Sequence, residues 1–139
     1  MDTALTPTEI KDLHVMIVDD DDFQIEFVSD LLNELGITHI TTALGGEIGL
    51  SKFDHSQKKP DLLLCDIQMP DIDGFALMKK LSDRHYTGGV ILMSGQGAKV
   101  LYSASLVAQL ARQNFLGTIE KPLQKDALLA AIEKMLGKT

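Results

Sequence analysis

Residues 60–75 read PDLLLCDIQMPDIDGF, and this stretch decides the fold. The apolar run Leu62 to Cys65 has the length of a buried strand, and Asp66 follows it directly. The loop after Asp66 contains three ordinary turn formers, Pro70, Asp73 and Gly74. A short apolar strand that ends on an acid is typical of an open parallel sheet, in which ligands bind beyond the carboxyl ends of the strands.

Short apolar runs of this kind recur along the chain and alternate with longer stretches of helical periodicity. The five strand candidates are His14 to Val18, His39 to Thr42, Leu62 to Cys65, Val90 to Met93 and Phe115 to Ile119. They are short enough to be central strands that are covered on both faces. The alternation predicts an α/β fold with a five-stranded parallel sheet, doubly wound, with helices on both faces.

The first helix candidate carries apolar residues at a spacing of four, namely Phe23, Phe27, Leu31 and Leu35. This spacing predicts one apolar stripe that packs on the sheet before Gly36 ends the helix. The remaining helix candidates are Gly46 to Phe53, Phe75 to Leu81, Val100 to Ala111 and Ala127 to Leu136.

The length of 139 residues suits one domain that buries its own core, and the composition is 45% hydrophobic and 24% charged. We expect residues 12–139 to form this domain. Residues 1–11 are then an N-terminal extension, either a frayed tail or a short helix capped by Thr6. Cys65 is the only cysteine and is interpreted as a small buried hydrophobe.

Charge and hydropathy narrow the range of partners. A net charge of -7 argues against nucleic-acid binding, which depends on clustered Lys and Arg, and suits a cation instead. The first residues, MDTALTPTEIKDL, lack the basic start and apolar stretch of a signal peptide, and no apolar run approaches transmembrane length. We therefore expect a cytoplasmic protein with no membrane partner and no direct nucleic-acid partner.

Polar residues directly follow four of the strand candidates. These residues are Asp19-Asp20-Asp21-Asp22 after the first, Asp66 after the third, Ser94 after the fourth and Lys121-Pro122 near the end of the fifth. Acids gathered at one edge of a sheet raise one another's pKa unless a cation or Lys121 offsets their charge. A hard divalent ion with oxygen ligands fits, and Mg²⁺ is the natural candidate because no Cys/His cluster favours zinc.

Several of these residues also have a purely structural interpretation. Asp21 and Asp22 precede a helix, and we interpret them as caps of its N-terminus. Asp19 and Asp20 directly end the strand, and we interpret them as metal ligands. Three more residues are ambiguous alone, as turn or surface groups, and only their joint positions indicate a shared site: Asp66, Ser94 and Lys121.

Four motifs follow strand candidates in order, namely IVDDDDF at Ile17 to Phe23, PDLLLCDIQMPDIDGF at Pro60 to Phe75, MSG at Met93 to Gly95 and EKPL at Glu120 to Leu123. Together they resemble the receiver domain of bacterial response regulators over nearly the whole chain. The combination is specific, whereas any one acidic pair would mean little. The resemblance implies a flavodoxin-like (βα)5 fold and a regulatory phosphoacceptor domain rather than an enzyme.

The resemblance also implies how phosphorylation is performed. Asp66 is then the phosphoacceptor, and Mg²⁺ is the cofactor. Asp20 is a direct magnesium ligand, Asp19 acts mainly through water, and the backbone carbonyl of Gln68 is a further ligand.

The remaining motifs imply a switch. Ser94 would hydrogen-bond a phosphoryl oxygen. Its movement would shift residues 95–97 and reshape the face formed by the fourth helix candidate, Val100 to Ala111, and the fifth strand candidate. Lys121 would pair with the phosphorylated carboxylate, often helped by a cis peptide before Pro122. Thr118 departs from the family, which has Tyr or Phe three residues before the lysine, so the aromatic half of the switch is missing.

Partners follow from the same resemblance. The phosphodonor would be a phosphohistidine on a sensor histidine kinase or a phosphotransfer protein. The receiver of the signal would be a downstream output domain or target protein, with a phosphorylation-dependent dimer as one form of output. The segment NFLGTIEKPL is similar to the end of receivers that are attached to cyclic-di-GMP phosphodiesterase modules.

Three alternatives remain open from the residues. A phosphatase of the haloacid dehalogenase kind also uses an aspartate after a strand, but its second acid would lie where Gln68 stands. A flavodoxin-like nucleotide or flavin domain would need a Gly-rich phosphate cradle after the first strand, where this chain has four acids. A degenerate receiver would keep the fold as a protein-interaction module, which Thr118 permits.

Overall fold

One sheet of five parallel strands organises the chain, and the computed structural model describes residues 9–95, 108, 110 and 113–137. The strands are β1 (His14–Asp19), β2 (His39–Leu44), β3 (Leu62–Asp66), β4 (Gly89–Ser94) and β5 (Asn114–Glu120). The helices among the described residues are a 3₁₀ turn (Ile10–Asp12), α1 (Asp22–Glu34), α2 (Gly46–His55), α3 (Gly74–Asp83) and α4 (Lys125–Met135). The helix predicted over Val100 to Ala111 lies outside the described residues except for positions 108 and 110, and so does the predicted cap at Thr6.

The strand order β2-β1-β3-β4-β5 confirms the predicted doubly wound parallel sheet. Every side chain of β1, β3 and β4 is buried. β2 and β5 form the two edges of the described sheet and are partly exposed, so the prediction that all five strands are central was wrong for these two. Both still contribute to the core on each face, β2 through Ala43 and Ile40 and β5 through Phe115 and Leu116. An edge strand has a neighbour on one side only, and it tolerates polar residues such as Thr41 and Asn114.

Helices cover both faces of the sheet, as predicted. Successive side chains of a strand point to opposite faces, so neighbouring residues of β1 join different cores. Ile17 belongs to one core together with Leu32 of α1 and Ile132 of α4. Val18 belongs to the other core, together with Leu77 of α3. The sheet is therefore fixed from both sides, and only its ends are open to ligands.

The apolar stripe predicted for α1 is only half correct. Leu31 is buried and Leu35 is partly buried against the core, but Phe23 is 83% exposed and Phe27 is 39% exposed. The buried residues of α1 are Val28, Leu31 and Leu32. A helix turns once in about 3.6 residues, so a strict spacing of four rotates steadily away from the buried face.

A buried histidine lies at the amino end of the sheet. The side chain of His14 is stacked on His39 with ring centroids 3.9 Å apart, and its Nε2 lies 2.8 Å from the hydroxyl of Thr41. Among the described residues, Nδ1 of His14 has no hydrogen-bond partner. Burial lowers the pKa of His14, the charge of His39 lowers it further, and the charge of Asp61 opposes them only in part.

This lowered pKa predicts acid sensitivity. The unfolded chain takes up a proton at His14 as the pH falls below its ordinary value of 6.5, whereas the folded chain resists it. As the pH falls from 7.5 to 5.5, the free energy of unfolding of wild type should therefore fall relative to that of His14→Gln, which lacks this histidine. Urea unfolding at both pH values measures this, with the exposed His55→Gln as a control that follows wild type. Equal losses in wild type and His14→Gln would contradict the prediction.

Candidate functional site

Four strand ends meet at the carboxyl edge of the sheet. Asp19 is the last residue of β1, Asp66 is the last residue of β3, and Ser94 is the last residue of β4. Lys121 directly follows β5, and its backbone N–H donates to the carbonyl oxygen of Ser94 at 2.7 Å. Parallel pairing in register therefore brings residues that are far apart in sequence to one edge, as the sequence predicted.

Three carboxylates cluster at this edge. Asp19, Asp20 and Asp66 each offer one oxygen, and these three atoms lie within 4.8 Å of one another. Asp19 is fully buried, Asp66 is 4% exposed, and Asp20 is exposed. Asp21 does not join the cluster. It is the N-cap of α1 and accepts a hydrogen bond from the backbone N–H of Phe23 at 2.9 Å, which confirms its structural interpretation.

Lys121 lies between the two buried acids. Its Nζ is 3.0 Å from Oδ2 of Asp19 and 3.2 Å from Oδ1 of Asp66, and its side chain is 17% exposed. The family resemblance had paired this lysine with Asp66 alone, whereas the structure gives it both acids. The peptide bond between Lys121 and Pro122 is cis, as the resemblance implied.

Burial and like charge act on the acids together. Burial raises the pKa of Asp66 to about 6, and the charge of Asp19 adds to this rise against the opposing effect of Lys121. Burial also raises the pKa of Asp19. Burial lowers the pKa of Lys121, but its contacts with Asp19 and Asp66 outweigh burial and raise the value overall. Asp66 is therefore still mostly ionised at pH 7.5, at a cost in free energy, and the ammonium stays charged.

The loop that follows Asp66 folds back tightly on it. The backbone N–H of Gly74 donates to the carbonyl oxygen of Ile67 at 2.8 Å. A Cβ at Gly74 would lie 2.7 Å from the carbonyl oxygen of Asp66, so only glycine fits there. The N–H of Gln68 donates to Oδ1 of Asp66 at 3.4 Å, and the Gln68 side chain is exposed. The loop thus keeps the backbone N–H of Gln68 beside the carboxylate of Asp66.

The acid cluster fits a hard divalent cation. Among the described residues, Lys121 is the one cation in contact with these three carboxylates, and it contacts two of them, so this part of the cluster carries unbalanced negative charge. Oδ2 of Asp19 is buried, and among the described residues it accepts no well-aligned hydrogen bond, although Nζ of Lys121 is near. Carboxylate and carbonyl oxygens are the ligands that Mg²⁺ prefers. The site therefore has the charge and the donor atoms for such an ion.

The residues predicted to form the switch are only partly described. Ser94 is 6% exposed at the end of β4. Thr118 is half-buried on β5 and pairs in register with Leu92 of β4. Of the loop predicted to move, residues 95–97, only Gly95 lies within the described part of the chain.

Sequence reasoning missed two acids in the loop. Asp73, interpreted as a turn former, is the N-cap of α3 and accepts from the backbone N–H of Ala76 at 2.7 Å. Asp71 accepts from the backbone N–H groups of Gly46 and Glu47 at the start of α2. The available signal was that α2 begins after glycine, which offers no side-chain cap, so the cap had to come from elsewhere.

The chain matches known proteins along most of its length. The family model for the response regulator receiver domain matches residues 15–133. The chain is 32% identical over 133 residues to the 3',5'-cyclic-nucleotide phosphodiesterase regA of Dictyostelium discoideum, and the match covers 94% of this chain but 16% of that protein. It is 31% identical over 123 residues to the chemotaxis protein CheY of Bacillus subtilis, covering 88% of this chain and 96% of that protein.

Solved structures share the fold. The N-terminal domain of a response regulator/sensory box/GGDEF 3-domain protein from Carboxydothermus hydrogenoformans superposes with a TM-score of 0.74 at 22% identity, over 89% of this chain and 94% of that one. The described residues contain no helix that is both long and apolar enough to cross a membrane.

These matches agree with the site. Receiver domains are regulatory phosphoacceptor domains of two-component signalling, and they interact with histidine kinases or phosphotransfer proteins and with output domains. They generally bind Mg²⁺ at an acidic pocket, and this chain has an aspartate cluster at the corresponding edge of its sheet. This chain belongs to the response regulator receiver domain family.

Proposed function

We propose that Asp66 is the residue of this chain that becomes phosphorylated, with a phosphohistidine of a sensor histidine kinase or phosphotransfer protein as donor. One observation carries the proposal. Among the described residues, both close polar contacts of the Asp66 carboxylate fall on Oδ1, one from Lys121 and one from the N–H of Gln68. Oδ2 has no such contact, so it is the oxygen left to act as nucleophile.

The residues around Asp66 suit in-line phosphoryl transfer. An ionised oxygen of Asp66 attacks phosphorus while the bond between phosphorus and the donor imidazole nitrogen breaks, and the imidazole leaves. Lys121 holds its positive charge beside both Asp66 and Asp19, and so reduces the repulsion between the attacking carboxylate and the phosphoryl oxygens. Partial burial excludes bulk water from the acceptor.

We assign the magnesium site to Asp19, Asp20, Asp66 and the backbone carbonyl of Gln68. Mg²⁺, when bound, supplies positive charge that stabilises the phosphoryl oxygens during transfer. Asp19 is held in place by its contact with Lys121 and by the N–H of Asp21, which donates to its Oδ1 at 3.0 Å. Asp20 is exposed at the mouth of the cluster, where an ion that keeps several waters can enter.

The output of the phosphorylated form follows from the same geometry. Ser94 ends β4, the strand beside β3, and this position supports a role in which its hydroxyl donates to a phosphoryl oxygen on Asp66. Because Thr118 lacks a ring, the response depends on Ser94 and the segment after it rather than on a rotating aromatic side chain. We place the receiver domain at residues 12–139, with residues 1–11 as an extension, and expect it to act on an output domain, a target protein or a second copy.

Phosphoryl labelling tests the assignment of Asp66. Wild type incubated with Mg²⁺ and acetyl phosphate should gain one phosphoryl group, because Asp66 is nucleophilic and its charge is offset. Asp66→Asn should gain none, and intact-mass spectrometry distinguishes the two. The control is Asp83→Asn, an exposed aspartate of α3 that should be labelled like wild type. Equal labelling of wild type and Asp66→Asn would rule out Asp66 as the acceptor.

The raised pKa of Asp66 implies that ionising this carboxyl lowers the stability of the fold. A carboxyl with a pKa of about 6 when folded and an ordinary value of 3.8 destabilises the fold as the pH rises through that interval. In EDTA at pH 7.5 Asp66 of wild type is ionised and this cost is fully present. The free energy of unfolding of Asp66→Asn should therefore exceed that of wild type by about 1–3 kcal/mol. Urea denaturation measures it.

Magnesium provides the internal control for this measurement. Binding to the folded state should raise the stability of wild type more than that of Asp66→Asn, which lacks one ligand charge. The stability gap between the two proteins should therefore narrow as Mg²⁺ is added. A variant that is no more stable than wild type in EDTA would contradict the electrostatic account of the site.

A further inference from the structure

Helix α2 is capped by a residue from a distant loop. Its N-cap, Gly45, supplies no side-chain hydrogen bond. Instead, Oδ1 of Asp71 accepts from the backbone N–H of Gly46 at 3.2 Å, and Oδ2 accepts from that of Glu47 at 2.9 Å. Asp71 belongs to the loop between Asp66 and α3. Its carboxylate therefore joins this loop to α2, a helix that precedes the loop in the chain.

The two segments are shaped for this contact. Gly45 has a φ of +107°, and a Cβ there would lie 3.2 Å from Oδ2 of Asp71. A Cβ at Gly46 would lie 3.0 Å from the carbonyl oxygen of Ile72. Burial raises the pKa of Asp71, but hydrogen bonds from the amides of Glu47, Ile72 and Gly46 outweigh it and lower the value overall. The carboxylate is therefore charged where it meets the positive end of α2.

Other contacts of the loop leave its central part without a directional anchor. Ile67 is fixed at one end, where its N–H donates to the carbonyl oxygen of Met93 at 3.0 Å. Met69 packs into the core and Ile72 packs against it. Apolar packing is not directional, so it keeps these side chains buried but does little to fix the orientation of the loop backbone. Among the hydrogen bonds between described residues, those of Asp71 are the ones that tie positions 69–72 to a helix or strand. Gln68 is tied to the end of β3, where its N–H donates to Oδ1 of Asp66 at 3.4 Å.

We propose that Asp71 is a positioning residue for the magnesium site. Its two hydrogen bonds to the start of α2 hold the loop so that the backbone of Gln68, whose N–H contacts the carboxylate of Asp66, keeps its place at the proposed magnesium site. This role rests on the proposed function of Asp66. Residues that orient ligands without touching the ion typically change metal affinity by about 10–100-fold when they are replaced.

The test compares Asp71→Ala, Asp71→Asn and a matched control, Asp54→Ala. Asp54 is also an exposed aspartate that links two elements on the same face of the sheet, through its ion pair with Arg84 at 2.7 Å, but this pair does not involve the loop between Asp66 and α3. Titration calorimetry of the unphosphorylated proteins gives the dissociation constant for Mg²⁺. Amide hydrogen exchange by NMR reports the protection of Gly46 and Glu47.

Asp71→Ala should lose protection at both amides and weaken Mg²⁺ binding about tenfold. Asp71→Asn keeps one acceptor oxygen and should fall between Asp71→Ala and wild type, while Asp54→Ala should bind Mg²⁺ like wild type. Under saturating Mg²⁺, the labelling rate of Asp71→Ala with acetyl phosphate should recover toward the wild-type rate.

Two results would overturn the positioning role. One is unchanged Mg²⁺ affinity in Asp71→Ala after the two amides have lost protection. The other is an equal loss of affinity in Asp54→Ala, which would indicate a general effect of stability. A wild-type protein that binds Mg²⁺ but takes no phosphoryl group from acetyl phosphate would refute the proposed function of Asp66, and the affinity comparison would still decide the role of Asp71.

Discussion

Two buried carboxylates that share one ammonium hold the site together. Asp19 and Asp66 end adjacent strands, whose spacing in a sheet is about 4.8 Å, so the acids cannot separate unless the strands do. Lys121 directly follows β5 and contacts both acids. One electrostatic balance therefore connects three segments that are distant in sequence. Within the part of the chain that the structure describes, one lysine against three carboxylates leaves that balance negative, which is why a divalent cation suits the remaining charge.

The buried strands explain why Asp19 and Asp66 do not move apart to relieve the repulsion between their charges. β1 and β3 are buried along their whole length and are held from both faces by separate cores. Moving either acid would break strand hydrogen bonds and apolar packing, which together outweigh the cost of one raised pKa. The repulsion between the two carboxylates therefore persists in the folded protein. A ligand or a modification that changes the charge of these carboxylates changes this repulsion directly.

The sequence was sufficient for the parts of the structure that follow from periodic patterns. Apolar runs gave all five strands to within two residues, and the acids after them indicated the site edge because parallel strands end on the same side. The pattern of α1 misled at Phe23 and Phe27, since a spacing of four does not follow one helical face. The cap of α2 by Asp71 depends on a contact between residues 25 positions apart, for which no local pattern exists.

The three clustered acids differ in exposure, and this difference supports the separate roles proposed for them. Asp19 is fully buried, with Oδ2 beside Lys121 and Oδ1 accepting from the N–H of Asp21, so a phosphodonor cannot approach it. Asp20 is exposed, so in the proposed function its charge would meet a hydrated cation at the mouth of the cluster rather than act as a selective nucleophile. Asp66 is the intermediate case: it is 4% exposed, and one oxygen is held while the other has no close polar contact among the described residues. A carboxylate that is both reachable and partly desolvated is the one whose attack on phosphorus the surrounding charges can assist.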